Sequence, residues 1–96
     1  MAIGMILQFD NIGHDKYDAV MKELGLKLGS NAGWPDGVVS HMAGKSATGL
    51  TVVDIWESEA HFGKFRETKL GPALAKVGGM PEPKVSTFTI HNRFPQ

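Results

Sequence analysis

The stretch Gly37 to Phe65, GVVSHMAGKSATGLTVVDIWESEAHFGKF, holds the residues whose reading decides the fold. Val38, Val39, Thr51, Val52, Val53 and Ile55 are β-branched, as a pleated surface prefers. They fall in two runs, Val38 to Ala43 and Leu50 to Glu57, on either side of Gly44-Lys45-Ser46-Ala47-Thr48-Gly49, so the spacing predicts a hairpin. Ser58 then offers an N-cap with Glu59 in the positive first turn, and Phe62 and Phe65 mark the buried stripe of a helix.

Working outward, Ala2 to Phe9 is an apolar run interrupted only by Gly4 and Gln8, which predicts a strand covered on both faces. Asp10-Asn11-Ile12-Gly13 is a turn-forming cluster. Tyr17, Val20, Met21 and Leu24 recur at i, i+3, i+4 and i+7, an amphipathic helix from about His14 to Leu24 that Gly25 stops. Leu26 to Gly37 is irregular, and Trp34-Pro35-Asp36-Gly37 reads as a turn launching the next strand. Beyond Phe65, Gly71-Pro72 is expected to bend or restart the helix, and Leu70, Ala73, Leu74 and Val77 resume the apolar spacing. Gly78-Gly79 ends it, and Pro81 and Pro83 stiffen the connector to a last strand, Val85 to Asn92. That strand sets Phe88 and Ile90 on one face and Thr87, Thr89 and His91 on the other, the latter assigned to the sheet face that the helices leave open. The order is β-α-β-β-α-β, an α+β ferredoxin-like domain with an antiparallel sheet spanning residues 1–96.

A single domain of 96 residues has a thin core, burying roughly 60 to 65% of its unfolded surface, so a second copy on the open sheet face is the expected partner. Ten acidic and ten basic residues cancel and give no electrostatic footprint for nucleic acid or an anionic membrane. No run of roughly 18 apolar residues is present to span a bilayer, and MAIGMILQFD carries no basic flank or cleavage site, so the expected location is cytoplasmic. The absence of cysteine rules out disulfides, thiolate metal sites and a cysteine nucleophile. The four histidines show no HxH, HxxxH or HExxH spacing, and no glycine motif opens a phosphate loop; neither a metal nor a cofactor is expected.

Pro35-Asp36-Gly37 leading into Val38-Val39-Ser40-His41, and Val52-Val53-Asp54-Ile55-Trp56-Glu57-Ser58-Glu59 leading into Phe62 and Phe65, resemble the dimeric α+β barrel superfamily. Within it the sequence is most similar to the antibiotic-biosynthesis-monooxygenase-like (ABM-like) domains. Leu70-Gly71-Pro72-Ala73-Leu74 and Ile90-His91-Asn92 resemble a small bacterial subgroup of these. The likeness runs from about Ile3 to Asn92. It implies two ferredoxin-like protomers joining their sheets into one barrel, with the helices outside and a pocket between helix and sheet. The activities it implies are cofactor-independent oxygenation of electron-rich aromatics, haem degradation, isomerisation and decarboxylation of small rings. Haem-degrading relatives carry a tryptophan in the helix after the Trp-x-Ser strand end and a haem-ligating histidine ten residues on. Phe65 and Ala75 stand at those positions, so that mechanism is not expected.

The residues singled out for chemistry are His41, His61 and Asp54, with Tyr17, Trp34, Trp56, Phe62 and Phe65 as aromatic walls. A histidine near its ordinary pKa serves as a general base, and an aspartate in an otherwise apolar strand needs a partner. His41 and Asp54 share a face in one hairpin register and oppose each other in the next, and a shared face allows either an Asp-oriented base or a purely structural bond. His61 is placed either beside a helix–sheet cleft or on the surface of the first turn; His14 and His91 are read as a solvated helix start and a protomer bridge. Two functions follow. One is a small-molecule-binding dimer acting as a cofactor-independent monooxygenase or isomerase on an aromatic or cyclic substrate. The other is a non-enzymatic, ligand-binding or stress-related dimer whose polar residues are all structural.

Overall fold

The computed structural model describes residues 2–94. Strand β1 (Ile3–Asp10) leads to α1 (His14–Leu24), and β2 (Val38–Ser46) and β3 (Gly49–Trp56) form a hairpin. A long helical stretch follows: α2 (Glu59–Phe65), a π-helical turn (Arg66–Leu70) and α3 (Gly71–Val77), before β4 (Lys84–Thr89). The strands lie in the order β2-β3-β1-β4, all antiparallel, with β1 and β3 paired at the centre. This is the ferredoxin-like α+β arrangement.

Alternation along the central strands decides which face the helices cover. Ile3, Met5, Leu7 and Phe9 of β1 are buried with Leu50, Val52, Asp54 and Trp56 of β3, against Val20 and Met21 of α1 and Phe62 and Phe65 of α2. Trp56 is wholly buried, with Phe62 edge-on to it at 5.5 Å. On the other face Gln8 and Asp10 are exposed, so β1 is covered by helices on one side only, contrary to the two-sided expectation. An apolar run is thus a weak guide where Gly4 contributes no side chain.

Two further boundaries differ from the sequence reading. The β2–β3 strands continue to a Ser46↔Gly49 pair, leaving only Ala47 and Thr48 as the turn, because Gly44 fits in the strand opposite Thr51. At Gly71-Pro72 the helical stretch restarts as α3, with Pro72 in its first turn, as the sequence reading expects. The Gly71 N–H reaches back to the Arg66 carbonyl, and this wider π turn accommodates the proline. Strand β4 ends at Thr89, and its register sets Phe88 opposite Gly4, with its ring over the space a Cβ would fill. Phe88 therefore belongs to the open face, whereas Thr87 and Thr89 pair with Met5 and Ile3 on the helix side, and His91 lies exposed beyond the strand.

Gly37 launches β2 with φ 95, and the ring of His61 occupies the place where its Cβ would be. Gly37→Ala combines a conformation that L residues avoid with a side-chain collision. It is expected to destabilise the fold by more than about 1 kcal/mol, read as a lower denaturant midpoint at unchanged slope.

Candidate functional site

The β2–β3 register carries a bulge between Val38 and Ser40, after which His41 pairs with Asp54. One extra residue at this point turns both Val38 and His41 towards the helices, where the strict alternation of β3 also directs Asp54. His41 and Asp54 thus share the buried face. The Asp54 carboxylate accepts from His41 Nδ1 at 2.6 Å through Oδ1 and from the Trp56 indole N–H at 3.1 Å through Oδ2. A carboxylate is acceptor-only, so the proton of a neutral His41 lies on Nδ1 and its Nε2 lone pair faces outward. There it accepts the hydroxyl hydrogen of Tyr17 at 2.6 Å. The row Tyr17–His41–Asp54–Trp56 is closed at each link, and among the described residues no buried side-chain nitrogen or oxygen is without a partner.

Tyr17 and Met21 from α1, Trp34 and Lys27 from the irregular segment, and Val38 and His41 from β2 line an open groove of about 590 Å³. The Trp34 ring packs at 4.5 Å from the His41 ring and walls one side of the row. Asn31 is on the groove rim. The space between helices and sheet is different in kind: it is about 60 Å³, filled down by Met21, Phe62, Phe65 and their neighbours. A ring needs roughly 150 Å³ of apolar cavity, so ring-sized volume is in the groove rather than beneath the helices.

Of the residues singled out from sequence, His41, Asp54, Tyr17 and Trp34 come together at this groove. Trp56 sits behind it as a donor to Asp54, and Phe62 and Phe65 line the inner cavity. His61 is elsewhere. Its backbone N–H donates to the Ser58 capping oxygen at 3.2 Å and its Nδ1 is 2.7 Å from the same hydroxyl, with the ring near Glu57 in solvent. His14 is an exposed helix start. Sequence reasoning took Tyr17 as a wall and missed its hydroxyl as a link; the signal was that the chain's one tyrosine opens the buried stripe of α1. Lys27 was missed as well, since nothing in an irregular segment fixes direction. Among the described residues no three histidine or carboxylate side chains converge to hold a metal ion.

No protein-family model matches the sequence, and no curated protein does. Solved structures match along almost the whole chain. SnoaB, a cofactor-independent oxygenase from Streptomyces nogalater, is 11% identical with TM-score 0.68, covering 99% of this chain and 98% of its own. Rv0793 from Mycobacterium tuberculosis is 16% identical with TM-score 0.68, covering 98% and 99%. The ActVA-Orf6 monooxygenase of Streptomyces coelicolor, solved with nanaomycin D, is 20% identical with TM-score 0.57, covering 99% and 91%. The chain has the ABM-like fold.

Within this fold the outer member of the row is electrostatically set. Burial, then the charge of Asp54 and then that of Asp18, raise the Tyr17 phenol above its ordinary value. The native protein therefore holds the phenolic proton that an unfolded chain loses near pH 10. The associated stability is complete below about pH 10 and is lost as pH rises from there through the folded value. Since Tyr17 is the single tyrosine, phenolate absorbance follows it alone. The expected native midpoint is above that of the denatured protein, and Tyr17→Phe is expected to flatten the loss of stability above about pH 10. A native midpoint at or below the denatured one would contradict this placement.

Proposed function

We propose that the chain is a homodimeric, cofactor-independent monooxygenase that binds a small aromatic or quinone-like ring in the groove beside Tyr17 and His41. The observation that carries this reading is the hydrogen-bonded row Tyr17–His41–Asp54, whose outer hydroxyl lines a groove wide enough for a ring. A ring methylene made acidic by a neighbouring carbonyl gives its proton to Tyr17 Oη as the tyrosine hydrogen passes to His41 Nε2. Asp54 holds the imidazolium that forms. The carbanion passes electrons to dioxygen and a C–O bond forms. Once protonated, the hydroperoxide loses water, so that ring CH2 and O2 become C=O and H2O. The residues supply the proton acceptor and the walls, and the substrate supplies the electrons. The same proton returned to another ring carbon gives isomerisation, and oxygen uptake separates the two. The oxygenase and monooxygenase among the structural neighbours support this choice of class. His61 is assigned no part, being held to its own helix cap.

The second half of the proposal is the dimer. Ile6, Met42, Val53, Ile55 and Phe88 share the uncovered sheet face, where Met42 is 59% and Phe88 51% exposed. A contiguous apolar sheet face of this kind needs a cover, and a second copy of the sheet closes both into a barrel. Action in the cytoplasm fits a chain without cysteine, and no helix among the described residues is long and apolar enough to cross a membrane.

A thermal-shift screen of polycyclic ketones and quinols, followed by oxygen-electrode assays of the binders, tests the activity, and sedimentation velocity tests the dimer. Stabilisation with oxygen uptake and a two-copy species is expected. Stabilisation without uptake leaves the non-enzymatic ligand-binding reading, and a compact monomer contradicts the barrel.

A further inference from the structure

We infer that the apolar cavity of about 60 Å³ between the helices and the sheet is a binding chamber for dioxygen, supplied from the side of the molecule opposite the ring groove. This rests on the functional reading above and adds to it the place and route of the second substrate. Val20, Leu24, Leu50, Val52, Leu74 and Met80 are among the apolar side chains of its wall. The polar side chains reaching it are Tyr17, Asp54 and Trp34; the hydroxyl is engaged on His41 and the carboxylate on His41 and Trp56, which leaves at most the Trp34 indole N–H as a donor. An ordered water needs two to four polar partners, and apolar cavities without them stay dry and admit small apolar guests. The volume excludes a ring and admits a diatomic gas.

Position supports the same guest. The cavity shares Tyr17, Met21 and Trp34 with the ring groove, so whatever occupies it lies against the proton-accepting end of the row. On its far side it shares Phe9, Phe62, Leu70, Leu74 and Met80 with a second groove of about 530 Å³, bounded by α3 and the Met80–Pro83 connector. A ring seated over Tyr17 covers the cavity on the groove side, whereas on the far side only the shared apolar side chains separate it from the second, open groove. Dioxygen, uncharged and weakly hydrated, partitions into such a path where water and ions do not.

Xenon, an inert apolar probe, tests this on the intact protein by methyl NMR under gas pressure. Saturable shifts are expected at the methyls of Val20, Leu50, Val52 and Leu74, with none at Val53 and Ile6 on the open sheet face. Leu74→Phe, which fills the cavity, should abolish the shifts and raise the KM for dioxygen several-fold while leaving the KM for the ring unchanged. Leu24→Phe serves the same purpose should the first variant fail to fold. Absence of saturable shifts in the unmodified protein, water cross-peaks to these methyls, or an unchanged dioxygen KM in a folded filled variant would each overturn the inference. Ring binding without a xenon response removes the chamber alone; a xenon response without ring binding leaves an apolar gas cavity but removes the functional reading and with it the role of dioxygen as second substrate.

Discussion

His41→Gln is expected to lower turnover of a bound ring substrate by about two to four orders of magnitude, the usual contribution of a positioned general base, with little change in ring affinity. The imidazole lines the groove beside Tyr17, but both its nitrogens are engaged, one on the Tyr17 hydroxyl and the other on Asp54. Glutamine offers a donor and an acceptor, so it keeps both neighbours partnered, but its amide does not take up a proton near neutral pH. His41→Ala is a different experiment. It strands the Tyr17 hydroxyl and one Asp54 oxygen, and leaving a buried polar group unpaired costs about 1–3 kcal/mol of stability. Stopped-flow turnover read beside an equilibrium binding constant and a denaturation curve separates these effects. Equal turnover of His41→Gln and the unmodified protein would remove His41 as the acceptor.

Trp56→Ala is expected to destabilise the chain by about 3–5 kcal/mol, the range for truncating a large buried aromatic. Two losses add at this residue. The indole is wholly buried, packed edge-on to Phe62 and 5.5 Å from Phe65, so a cavity opens at the centre of the core. The N–H bond to Asp54 Oδ2 disappears too, leaving a carboxylate oxygen inside an apolar wall. Domains of this size hold about 5–15 kcal/mol in all, so the variant sits close to unfolding at ambient temperature. Trp56→Phe retains most of the packing and loses the hydrogen bond, and is expected to fall between the two. Urea midpoints at constant slope check the series. A change under about 1 kcal/mol for Trp56→Ala would contradict the packing described.

The fold was legible in the sequence because its signals are local and repeated. The i, i+3, i+4, i+7 spacing at Tyr17, Val20, Met21 and Leu24, the Ser58 cap and the β-branched hairpin each have a physical cause that does not depend on the rest of the chain. What escaped was set by tertiary registration. That Phe88 faces away from the helices depends on its pairing with Gly4, some eighty residues earlier in the chain, and alternation within β4 alone is equally consistent with either face. The same holds for the site. His41 and Asp54 were visible as a histidine and a buried carboxylate in adjacent strands, but only the register set by the tight Ala47-Thr48 turn, unbroken as far as this pair, brings them to one face. Tyr17 joins them through the docking of α1 on the sheet, and His61 is held apart by Ser58, a cap whose sequence signature was clear while its consequence for the ring was not.

The most direct test of the proton-transfer site is anaerobic deuterium exchange at the acidic methylene of a tricyclic ketone bound to the protein, followed by NMR. Without dioxygen the ring can only lose and regain its proton, so exchange reports the base alone. Exchange well above the solution rate with the unmodified protein, returning to the solution rate with His41→Gln under saturating ligand, is the expected result. Exchange equally fast with both proteins would contradict the assignment of Tyr17, His41 and Asp54 as the path of the proton.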